Sequence, residues 1–127
     1  MREILFKAKT IKGNWVNGLL ANKNDKWYIS NKAGSPFAYD VRPETICQFT
    51  GLCDKNGKKI WENDILMAHL DESYPEDATY ETVEWGVAGW VTHEANSIDR
   101  QYLDEFDLEH FEVVGNIFDN PELLQEE

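Results

Sequence analysis

Cys47-Gln48-Phe49-Thr50-Gly51-Leu52-Cys53-Asp54-Lys55-Asn56-Gly57-Lys58-Lys59-Ile60-Trp61-Glu62-Asn63-Asp64-Ile65 is the stretch whose punctuation decides the fold. Short extended pieces alternate here with turn residues. Asn56-Gly57 is the strongest short-range hairpin signal in the chain, because both residues tolerate the positive φ that tight turns require. Thr45–Thr50 and Ile60-Trp61 then read as strands on either side of that reversal. Glu62-Asn63-Asp64 makes a second tight turn, and the apolar run Ile65–Leu70 follows as the next strand.

Upstream, Glu3–Lys9 and Asn14–Leu20 flank Ile11-Lys12-Gly13, which reads as a hairpin connection. Asn22-Lys23-Asn24-Asp25 is another turn, and Lys26–Ser30 is rich in strand-favouring residues, so the N-terminal part reads as a β-meander. Asn31–Pro36 reads as a loop, and Pro43 disfavours helix at Arg42. Downstream, Asp71–Thr79 reads as an acidic loop, and Tyr80–Val87 and Gly89–Glu94 as a strand pair. Ile98–Leu108 is ambiguous between a short helix and irregular structure, Phe111–Phe118 reads as a final strand, and Pro121 opens a short C-terminal helix capped by Asp119 or Asn120.

The 127 residues are enough for an unaided hydrophobic core, and the 42% apolar and 13% aromatic content is that of a globular chain. The opening apolar run is too short for a signal peptide, and no stretch is long enough to span a bilayer, so a soluble, cytoplasmic protein is expected. Cys47 and Cys53 suggest structural thiols rather than a disulfide framework or a zinc site. The net charge of −12 conceals a split: residues 1–60 carry 11 Lys/Arg against 5 Asp/Glu, and residues 61–127 carry 1 against 19. Such an acidic half generates a coherent negative field if it folds compactly.

Met1-Arg2-Glu3-Ile4, Pro43-Glu44-Thr45, Gln48-Phe49-Thr50-Gly51-Leu52, Asp54-Lys55-Asn56-Gly57-Lys58-Lys59-Ile60, Trp61-Glu62-Asn63-Asp64-Ile65 and Val113-Val114-Gly115-Asn116-Ile117-Phe118-Asp119-Asn120-Pro121-Glu122-Leu123 together resemble the YopX-like proteins of phages and prophages. The matching segments are spread over nearly the whole chain; residues 66–110 add nothing to the match. Asn63 is a departure, standing where this family usually has glycine. Asn is the commonest non-glycine residue at positive φ, so the turn should survive. The resemblance implies a mainly β fold: an N-terminal β subdomain over residues 1–45, then a small SH3-like β-barrel over residues 46–127, the two expected to form one compact unit. It implies no established activity, cofactor or catalytic residue.

Chemistry-bearing residues carry no recognised pattern. His69 and His93 could hold a metal only if they met across neighbouring strands, and no His-x-His or His-Glu-x-x-His spacing occurs. Neither cysteine has a nucleophile signature, and no phosphate-cradling glycine loop is present. No catalytic, cofactor-binding or metal site is therefore expected, and binding is the natural class. Of the five tryptophans, Trp61 and Trp85 are expected to point inward, while Trp27-Tyr28 must place one ring outward because consecutive strand residues face opposite ways. Lys7, Lys9, Lys12, Trp27, Lys55, Lys58 and Lys59 form the candidate interaction surface. The leading expectation is a non-catalytic protein-interaction module that self-associates as a homo-oligomer, the positive half of one subunit meeting the negative half of another. The alternatives are a nucleic-acid-associated module using the Lys-rich half, or an acidic nucleic-acid mimic that occupies a basic enzyme.

Overall fold

A computed structural model describes residues 5–30, 38–69, 78–95 and 97–124. The chain forms two compact units, Met1–Gly51 and Leu52–Glu127. The expected loops at Asn31–Pro36 and Asp71–Thr79 fall wholly or mostly outside the described residues.

In the first unit, β1 (Phe6–Lys9), β2 (Trp15–Lys23), β3 (Lys26–Ser30) and β4 (Tyr39–Asp40) make the meander expected from the turn residues between them. β5 (Cys47–Cys53) pairs antiparallel with the free side of β1, Lys7 lying opposite Cys47. The sheet curls: Val41 N–H donates to Trp27 O on β3, and Arg42 N–H donates to Lys9 O on β1. Strand alternation puts Ala8 and Ile29 inside this curl with Val41, and Phe6, Val16, Leu20, Trp27 and Ile46 pack around them. Trp27 is thus the inward member of the Trp27-Tyr28 pair.

β5 carries the chain into the second unit, where its end pairs with β6 (Lys59–Trp61). The turn between them has Gly57 at φ 81°, with Gly57 N–H donating to Asp54 O and Asp54 N–H donating to Lys58 O. Only Gly57, not Asn56, takes the positive φ, so this is a three-residue hairpin loop closed by a glycine bulge rather than a two-residue Asn-Gly turn. Asn63 stands at φ 70°, the left-handed conformation that glycine would otherwise supply. Its turn is closed by Trp61 N–H donating to Asp64 Oδ2 at 2.8 Å.

The remaining strands are β7 (Asp64–His69), β8 (Ala78–Trp85), β9 (Trp90–Glu94), β10 (Gln101–Tyr102) and β11 (Glu112–Asn116). They form an antiparallel sheet of order β10-β9-β8-β7-β11. Among the described residues this sheet is open, so the SH3-like barrel expectation is met at the level of an antiparallel β-sheet only. The ambiguous stretch resolves into β10 and a 3-10 turn over Glu105–His110. The expected C-terminal helix is likewise a single 3-10 turn, Pro121–Leu124. The core of this unit is Ile60, Leu66, Val83, Trp90, Phe111 and Val113. Trp61 is buried as expected, but Trp85 is not. It lies opposite the core residue Trp90 at the end of the hairpin and leaves 56% of its surface exposed.

Candidate interaction surfaces

The signature residues build connections. Asp54 is buried, and its carboxylate accepts three backbone N–H groups: Asn56 and Lys58 on Oδ1 and Val113 on Oδ2, each at 2.9 Å. It therefore ties the β5–β6 turn to β11. Burial alone would raise its pKa; those three N–H donors and the charge of Lys58 outweigh that and hold the carboxyl below its ordinary value. At the other end of β11, Asn116 Oδ1 accepts from Phe118 N–H and Asp119 N–H, and Asn120 Oδ1 accepts from Asn116 N–H. Gly115 is required there because a Cβ would collide with the Asn120 side chain. Asp54, Asn116 and Asn120, all among the residues that carry the resemblance, thus spend side-chain oxygens on backbone donors of the fold.

The basic residues expected to form one surface are divided. Lys7, Lys9, Lys12 and Trp27 belong to the first unit; Lys55, Lys58 and Lys59 are exposed around the β5–β6 turn of the second. Lys7 and Lys9 project from the same face of β1, and their Nζ atoms lie 4.8 and 5.5 Å from the ring centre of Trp15, which is opposite Lys9 on β2. Trp15, not Trp27, is therefore the aromatic partner of the lysines.

Beside the β1–β2 turn the first unit has a groove of about 490 Å³ lined by Ile11, Lys12, Val16, Ala38, Tyr39 and Asp40, among others. Ile11 and Tyr39 are 60% and 44% exposed. Thr10 fixes this turn: its Oγ1 accepts from the backbone N–H groups of Lys12 and Asn14, both at 3.3 Å.

A second apolar feature is the β8–β9 hairpin tip, Trp85-Gly86-Val87-Ala88-Gly89-Trp90, in the acidic unit. Val87 is fully exposed. Gly86 N–H donates to Gly89 O at 2.7 Å, closing a turn so tight that a Cβ on Gly86 would press into Val91 and the Gly89 carbonyl. Trp85 stacks edge-on against buried Trp90 with ring centres 4.9 Å apart, and the ring of Tyr102, 60% exposed, lies over Gly89.

These two architectures place the chain among known proteins. The sequence profile of the YopX protein family matches residues 6–125. The chain belongs to the YopX family. No curated protein matches it. The crystal structure of protein EF1440 from Enterococcus faecalis is similar over 98% of this chain and all of that one, with a TM-score of 0.62 and 23% identity, a likeness of fold.

In this YopX-family chain His69 and His93 fall on different strands and His110 at the end of the Glu105–His110 turn. β8 lies between β7 and β9, so His69 and His93 are not on adjoining strands. His93 Nδ1 is 3.1 Å from the Glu94 carbonyl and must carry the proton there; Nε2 is 2.8 Å from Thr82 Oγ1 and, in the neutral ring, accepts from it. Arg100, the sole Arg or Lys of residues 61–127, is ion-paired through Nε to Glu84 Oε1 and donates from Nη1 to Ser97 O. His110 is exposed beside Glu109. Cys47 is buried with Sγ 3.2 Å from Thr45 O, and Cys53 is exposed. Among the described residues no three His, Cys, Asp or Glu side chains converge as a metal site, and no helix is long and apolar enough to cross a membrane.

The Asp-x-Asn-Gly-Lys pattern gave a direct signal for the Asp54 turn, though not for the bond to Val113. The hairpin tip had a signal too, a run of eight uncharged residues, Trp85–Thr92, inside the acidic half.

Proposed function

We propose that this protein is a non-catalytic accessory protein of a phage or prophage, acting in the cytoplasm of the bacterial host as a protein-interaction module that self-associates. The observation that carries this reading is the division of charge between the two units. Met1–Gly51 holds eight Lys/Arg against four Asp/Glu, and Leu52–Glu127 holds four against twenty. Net charges of +4 and −16 on separate units of one chain favour contact between unlike units of two chains, which is head-to-tail.

Nucleic-acid binding by the Lys-rich half is the second reading, motivated by the Lys7-Trp15-Lys9 group. Two ammonium groups already lie against the ring on which a base would stack, which favours the protein-contact reading. Light scattering at low and high salt tests the proposal. Mass above the monomer at low salt that falls as salt rises is the expected result. A monomer throughout, with shifts of DNA or RNA mobility at low salt, would transfer support to the second reading.

A further inference from the structure

We infer that the β8–β9 hairpin tip of one copy docks into the groove beside Ile11 and Tyr39 in the first unit of a second copy. The inference rests on the self-association reading and supplies its contact. Charge attraction between units is long-range and poorly directional, so a defined assembly needs a packed centre. The hairpin tip has the properties of such a centre. Val87 stands fully exposed at the apex and Trp85 beside it, in a unit whose surface is otherwise dominated by carboxylates. The tip is also ordered before any contact is made: Trp85 leans on Trp90, Tyr102 covers Gly89, and the Gly86–Gly89 bond closes the turn. Little side-chain freedom remains to be lost on docking, the condition under which an aromatic anchor contributes most.

The groove offers the complementary shape and charge. It is concave, about 490 Å³, with exposed Ile11 and Tyr39 and with Val16 in its lining. Lys12 and Asp40 both line it and offset one another, so the charge complementarity is that of the units, +4 for the unit of the groove and −16 for the unit of the tip. Knob and groove are different parts of the chain, so each contact leaves one of each unused. The assembly is then heterologous and grows to a ring or an open chain.

Light scattering on Val87→Asp, Ile11→Asp and their equimolar mixture tests this at low salt, with circular dichroism to confirm that each variant is folded. Each variant alone should lose at least tenfold in association affinity. The mixture should recover dimers but nothing larger, because Val87→Asp retains a groove and Ile11→Asp retains a knob. A second tip variant, Trp85→Ala, should weaken association without introducing charge. If wild type associates and the tip variants associate equally well, the docking contact is wrong while self-association stands. If wild type is monomeric at every salt concentration, both are wrong.

Discussion

The second unit contains two hairpin turns built on opposite principles. The turn from Asp54 to Lys58 is charged at Asp54, Lys55 and Lys58, yet its carboxylate is buried and tied to β11. The turn at the β8–β9 tip has no charge and no side-chain hydrogen bond to recruit, yet it stands in solvent with Val87 fully exposed and Trp85 partly so. A polar group is turned inward where it organises the fold, and an apolar group is turned outward where the fold gains nothing from it. Polar residues inside specify structure when fully satisfied; apolar residues outside, rimmed by charge, mark a contact surface. The segments that carry the resemblance include the first turn and not the second, while the family match spans both.

The sharpest break in that comparison comes at Asp54. Asp54→Ala removes the acceptor for three backbone donors, one of them on core strand β11, and should cost about 3 kcal/mol of unfolding free energy in a urea titration. The isosteric Asp54→Asn separates charge from shape. Because the folded carboxyl titrates below its unfolded value of about 3.9, its stabilisation is fully present above that pH and is lost as pH falls through the folded pKa. Wild type should therefore exceed Asp54→Asn in stability at pH 7, and the gap should close progressively below about pH 4. A gap independent of pH would mean that the carboxylate charge is not what the three donors recognise.

Asn63 gives a smaller effect. At φ 70° a β-branched residue is strained, so Asn63→Val should cost about 1–2 kcal/mol, whereas Asn63→Gly should lie within about 0.5 kcal/mol of wild type. The smallest effect belongs to the other turn. Val87→Asp exchanges one exposed side chain for another and should change monomer stability by less than about 0.5 kcal/mol.

Much of this fold is legible in the sequence because its turns are written in residues with few alternatives. Gly57 and Asn63 mark positive φ, and Lys26–Ser30 is read at its observed limits, since Asn24-Asp25 stops one side and alternation fixes the strand. The missing information is of a longer range. Nothing local announces that Asp54 reaches Val113, 59 residues away, or that Val41 closes the first unit's curl against Trp27 and Thr10. The misreading of Trp85 has the same origin. Strand parity places it on the core face, but parity does not say where along the strand the core ends. The basic surface was assembled from residue type alone, and type does not tell that Trp27 faces inward or that the seven residues divide between two units.

Wild type, Asp54→Asn and Val87→Asp, compared by weight-average mass at low salt and at a temperature where all three show the folded circular dichroism spectrum, test the central claim directly. Asp54→Asn, less stable, should associate as wild type does, and Val87→Asp, equally stable, should not. Association that is lost in folded Asp54→Asn and kept in Val87→Asp would contradict the assignment of structure to the signature turn and contact to the hairpin tip.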